Sequence, residues 1–149
     1  MTANRFLLSS PIEMLDKAKR ELKAMEAELS ADSIFNCFVT AYHVMDYVKA
    51  LGTISQPAID AMYADGNFDL CRFICNRGKH LNVTRDPKNV AIREDGGSGF
   101  FGFGPIGGGP MCSLPEWRFY CDDEEVRPIE LAEKVIKRWE LFFATNGIT

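Results

Sequence analysis

"SSPIEMLDKAKRELKAMEAELSADSIFNCFVTAYHVMDYVKALG", residues 9–52, decides the fold. Ser10, Pro11 and Glu13 announce a helix start: a hydroxyl at the N-cap, a proline where its missing N–H costs nothing, and a carboxylate three residues on to close a capping box. Leu15, Ala18, Leu22, Met25 and Leu29 then step three and four residues at a time. That spacing lays one narrow apolar seam along a helix whose other faces carry Lys and Glu. After "LSADS" a second helix runs through "IFNCFVTAYHVMDYVKALG" to Gly52, whose missing Cβ suits a left-handed C-terminal position. Ile34, Phe38, Ala41, Met45 and Val48 form its core stripe, widened by Phe35, Tyr42 and Val44. Two antiparallel helices on a short joint are the expected result.

Further along, "SQPAIDAMYADG" is a short helix with Pro57 near its start, ended by the turn chemistry of Asp65 and Gly66. Asn67 is expected to cap the third main helix, "FDLCRFICNRGKHL". At about 100° per residue, Phe68, Leu70, Cys71, Ile74, Cys75 and Leu81 share a broad apolar side, and Asp69, Arg72, Asn76, Lys79 and His80 the other. From Asn82 to Arg127 the helical period is lost. "NVAIRE" and "EWRFYC" have strand composition, with "CDDEEV" as the turn after the second. "RPIELAEKVIKRWELFFATNG" returns to the helical period, with Pro128 at its start, Ala132, Val135, Ile136, Trp139 and Phe143 on one face, and Gly147 past its end. The expected fold class is mainly α. It is an antiparallel bundle of four to five helices in one domain, 1–149, with a small β-hairpin and a Gly/Phe-rich loop, 94–111, before the last helix.

Composition narrows the function classes. A hydrophobic share of 46%, with 11 Phe, is that of a chain that folds around a core. A net charge of −4 argues against a broad surface for duplex DNA, while leaving room for a local basic pocket on a strand or a phosphate. Five Cys without a C-x-x-C pair, and no apolar leader in "MTANRFLLSS", fit reduced thiols in a cytoplasm. No apolar run approaches the roughly 18 residues that cross a bilayer, so no membrane partner is expected.

Four groups of residues could carry chemistry. "GFGPIG", Gly102 to Gly107, is formally a G-x-G-x-x-G, but Pro105 removes a donor and more glycine follows where a helix should open. A pyrophosphate cradle needs a strand before it and a helix N-terminus after it, so no nucleotide cofactor is expected. Phe100, Phe101 and Phe103 in the same loop either dock into a partner protein or fold back onto their own core. His43 and Asp46, one helical turn apart, either orient an imidazole for proton transfer or simply pair on a helix surface. A metal would need more ligands, with His80 and Asp69 the available supply, and Cys71 with Cys75 alone makes a poor zinc site. No metal or other cofactor is therefore expected. The fourth group is "CNRGKH" at the end of the third helix. Arg72, Arg77 and Lys79 are phosphate-binding types, Asn76 can orient a substrate group, and His80 titrates near neutrality, a set suited to cleaving an RNA strand through its own 2′-hydroxyl. The alternative is the wet face of an amphipathic helix, which carries such residues routinely.

The N-terminal helical pair, "AYHVMDY", "CNRGKH", the Gly/Phe-rich insertion and the final "ELAEKVIKRWELFF" together resemble a group of small bacterial proteins, similar in outline to the HEPN superfamily of helical bundles. The resemblance covers about residues 10–145. It implies a metal-independent endoribonuclease, or an RNA-binding relative of one, from a toxin-antitoxin or phage-defence system. Such a protein works as a homodimer or with a cognate partner. It also implies His80 as general acid or base, with Arg72 or Arg77 as the accompanying Arg. The family places its Arg and His four to six residues apart; here seven residues separate Arg72 from His80, and two separate Arg77 from it. A non-catalytic interaction or regulatory subunit that uses Phe100, Phe101 and Phe103 is the competing expectation.

Overall fold

The structure is a computed structural model that describes residues 8–79, 90–95, 116–121 and 124–149. The protein is mainly helical, with five helices among the described residues: α1 (Pro11–Ala27), α2 (Ala31–Ala50), α3 (Gln56–Tyr63), α4 (Gly66–Lys79) and α5 (Pro128–Asn146). The chain forms two compact units, one of Met1–Arg85 with Ile129–Thr149, the other of Asp86–Pro128. None of the described helices is long and apolar enough to cross a membrane.

In the helical unit, α1 starts as its sequence dictates. The Ser10 hydroxyl accepts from Glu13 N at 3.2 Å, and the Glu13 carboxylate reaches back to Ser9 N at 2.6 Å, one residue further out than a standard capping box. The joint to α2 is shorter than "LSADS" implies. Ser30 is the N-cap of α2, and Ser30 and Ser33 bond each other's backbone N–H through their hydroxyls. At the far end Gly52 takes φ 67°, and Gly147 after α5 takes φ 66°, both left-handed terminators.

The two helices then bury the faces that their spacing marks. Leu15, Ala18 and Met25 of α1 are covered, as are Ile34, Phe38, Ala41, Val44, Met45 and Val48 of α2. Leu22 is half-covered, and Leu29 falls beyond the C-cap Glu28, out of helical phase. Phe35 does not widen the core. It is exposed, because one residue past Ile34 turns it about 100° off the buried stripe.

Asp65, not Asn67, caps α4. Its Oδ1 accepts from Asn67 N at 3.1 Å and Phe68 N at 3.0 Å, which moves the helix start two residues upstream. Phe68, Leu70, Cys71, Phe73, Ile74 and Cys75 are buried, Phe73 being an addition to the expected apolar side. The last helix closes the unit. Trp139 is fully buried, and its Nε1–H donates to the Ala41 carbonyl of α2 at 2.8 Å. Phe68 of α4 and Phe142 of α5 meet it edge-on at 5.3 and 5.5 Å, the arrangement that aromatic quadrupoles favour. Arg138 Nε lies 3.4 Å from Asp65 Oδ2, and Lys19 Nζ 2.9 Å from Glu140, so α5 is tied to the α3–α4 joint and to α1.

In the other unit, the backbones of β1 (Val90–Asp95), β2 (Glu116–Cys121) and β3 (Glu124–Val126) are paired antiparallel in the order β1-β2-β3. Val90 faces Cys121 and Asp95 faces Glu116, while Phe119 faces Val126. Part of "CDDEEV" is thus extended backbone rather than turn: Glu124 to Val126 continue as β3 alongside β2. The segment joining β1 to β2, and with it most of the loop expected over 94–111, lies outside the described residues.

Candidate functional site

The described part of the expected site lies on α2 and α4. On α2, His43 is about a quarter exposed, and its Nδ1 lies 2.6 Å from the carbonyl of Val39, four residues back. A carbonyl can only accept, so Nδ1 carries the proton and the ring orientation is fixed by the helix itself. Nε2 is then 3.9 Å from Asp46 Oδ2, an ion-pair distance when the imidazole is charged and too long for a hydrogen bond. Asp46 itself is 67% exposed.

On α4, Arg72 donates from Nη2 to Asp69 Oδ1 at 2.7 Å, one turn earlier on the same helix, and its guanidinium lies 5.1 Å from the centre of the Phe73 ring. Asn76 is half-buried and Arg77 is exposed. Lys79 is the last residue of α4, and its side chain is outside the described residues. So are His80, Phe100, Phe101 and Phe103, which leaves the expected general acid or base and the expected partner-docking aromatics unplaced.

Tyr42 joins the two helices. Its ring meets His43 edge-on at 5.3 Å and leans on Phe68 of α4 at 5.7 Å, and Phe68 in turn lies 5.7 Å from Tyr63 of α3. Burial pushes the Tyr42 phenol up to about 12, helped by Tyr63, Cys75 and Asp46, while the positive charge of Arg72 opposes the rise. The phenol therefore stays a neutral O–H donor at any pH near neutrality. By helical spacing alone Tyr42 belongs to the core stripe of α2. Its placement beside His43 in "AYHVMDY" is the signal that singles it out, and the i, i+3 spacing of Asp69 and Arg72 is the signal for their pair.

Two other features are set aside on their chemistry. An open groove of about 670 Å³ is lined by Leu8, Glu13, Met14, Asp16, Lys17, Arg20 and Tyr47, none of them an expected site residue. Two of its charges already serve the helices: Glu13 caps α1, and Lys17 pairs with Glu21 while donating to the buried Thr40 hydroxyl at 3.2 Å. Cys37, Cys71 and Cys75 are buried and form no disulfide. Burial raises the first to about 12 and the second well above its ordinary value of 9, which removes both as nucleophiles or ready ligands. Among the described residues, no group of three or more His, Cys, Asp and Glu is placed to hold a metal ion.

Compared with protein-family models, with curated proteins and with solved structures, the chain matches none of them.

Proposed function

We propose that the α2–α4 seam is the RNA-contacting face of a HEPN-like protein that cleaves or holds an RNA strand without a metal. The observation behind this reading is that Tyr42 of α2, edge-on to His43, leans at 5.7 Å on Phe68 of α4, one helical turn before Arg72. In this reading Arg72, Arg77 and Lys79 hold phosphate, Asn76 orients a ribose or base group, and His80, four residues after Asn76 in sequence, moves the proton. His43, held at Nδ1 by Val39 and with Asp46 3.9 Å from Nε2, has the oriented imidazole that acid-base work requires, and completes the site within one chain or across a dimer. The 2′-hydroxyl supplies the nucleophile, its proton goes to an imidazole, and the 5′-oxygen leaves with a proton from the second.

The test is cleavage of a panel of structured and single-stranded RNAs by the purified protein in excess chelator. Cutting that His80→Ala lowers by about 10²–10⁴-fold at unchanged helical content supports the reading. A protein that cuts none of these RNAs, and retains none on a filter at low salt, overturns it. Sedimentation of the same preparation reads whether the active species is a dimer.

A further inference from the structure

Arg72 is a donor only partly used. A guanidinium offers five N–H groups in a planar fork, and carboxylates usually take it two at a time. Here Asp69 accepts at one terminal nitrogen, and the Nε–H is buried with no acceptor among the described residues. A buried N–H of a charged group that faces no acceptor is rare in folded proteins and calls for an explanation. The side chain is nonetheless 39% exposed, so the far end of the fork is open to solvent while its inner edge is not. Phe73 supports the guanidinium plane and Asp69 holds it from the same helix, one turn back. Across the seam, the ring of Tyr42 leans at 5.7 Å on Phe68, one helical turn before Arg72 on the same face of α4. A phenol of α2 therefore packs beside the turn of α4 that carries a fork with one nitrogen held by an internal carboxylate.

We infer that Arg72 and Tyr42 form a phosphate subsite, and that Asp69 is its resting occupant, an internal anion that holds the guanidinium until a phosphodiester displaces it. This rests on the reading of the seam as an RNA-contacting face, and adds which contact is gated and by what. A tetrahedral phosphate accepts from two edges at once, which Asp69 in its present geometry does not. Exchange of Asp69 for phosphate turns the guanidinium outward, gives the Nε–H an acceptor and brings the Tyr42 hydroxyl in as an additional donor. Because Asp69 competes with the ligand for one fork, it sets affinity without touching the RNA.

Binding is read by fluorescence anisotropy of a labelled 2′-O-methyl oligonucleotide, which cannot be cut through its 2′ position, on the full-length protein. Asp69→Asn is expected to tighten binding about threefold or more, and Arg72→Lys to weaken it about tenfold, since an ammonium offers no fork. In the double variant Asp69→Asn with Arg72→Lys, the gain is expected to vanish, which a purely structural role for Asp69 would not produce. A folded Asp69→Asn protein that binds no tighter than the parent overturns the inference. Should that variant fail to fold, the Nε–H resonance of Arg72 in the parent protein decides: titration with inorganic phosphate shifts it if the subsite exists and leaves it in place if it does not. Phosphate that shifts Arg72 in a protein that ignores the oligonucleotide keeps the subsite and removes RNA. An oligonucleotide that binds with Arg72 unmoved and Asp69→Asn neutral keeps RNA and removes the subsite.

Discussion

Trp139 shows how much of the helical unit hangs on single side chains. It is fully buried, touches Phe68, Phe142 and Phe143, and spends its one polar group on the carbonyl of Ala41, 98 residues earlier in the chain. Trp139→Phe keeps an aromatic ring but deletes the indole N–H and part of the volume. It should cost about 1–3 kcal/mol in urea unfolding, with an unchanged slope. The buried thiols make a second test. Cys37 is lifted by burial from its ordinary 9 to about 12, with Glu21 adding to the rise and Lys17 opposing it, and Cys71 shifts the same way. The native state thus keeps protons that the unfolded chain releases, so their contribution to stability is complete below pH 9 and is lost as pH climbs towards 12. Alkylation at pH 8.5 with peptide mapping should leave Cys37 and Cys71 unmodified until urea is added. Labelling of either in the folded protein would mean that its burial is not maintained in solution.

At the scale of elements, helix starts and stops carry much of the specification, and those were legible where the signal is local. Ser10 with Pro11, Pro57 and Pro128 near helix starts, and Gly52 and Gly147 past helix ends all do what their backbone chemistry demands. Asn67 misleads for an equally local reason: Asp65 has the better geometry, since its carboxylate serves two backbone donors and keeps a second oxygen for Arg138. That second bond comes from α5, and no short stretch of sequence announces it. Asp65→Ala should destabilise by about 1–2 kcal/mol through the lost cap. Arg138→Ala should cost under about 1 kcal/mol, as both partners are partly solvated. A double-mutant cycle should find a coupling of a few tenths of a kcal/mol between them, and a zero would mean that the contact does no more than close a gap.

For the whole molecule, the helical periodicity of residues 11–79 and 128–146 was enough to define a mainly α protein, because each helix buries a face readable at 3.6 residues per turn. The site was legible only as residue types. Spacing along α2 finds His43 with Asp46, and spacing along α4 finds Arg72 with Asn76, but the contact of Tyr42 with Phe68 belongs to a pairing of helices that periodicity does not encode. The helical unit is also discontinuous, interrupted by residues 86–128. Replacing those residues with a Gly/Ser linker of about 15 residues should preserve one cooperative unfolding transition, since lengthening or shortening a flexible loop changes closure entropy only slightly. Trp139 would then be the sole tryptophan and its fluorescence the direct probe. A sloping, non-cooperative melt would mean that the helices depend on the removed segment.

The contact of Trp139 with Ala41 also sets an order of events during synthesis. A ribosome that has released α2 must add nearly a hundred more residues before the indole that covers it exists. At about 5–20 residues per second, the nascent chain spends roughly 5–20 s with that stretch of apolar surface uncovered. Throughout that interval the unfinished polypeptide presents a natural substrate for chaperones, and a stalled or truncated message would release a product that never acquires its closing helix.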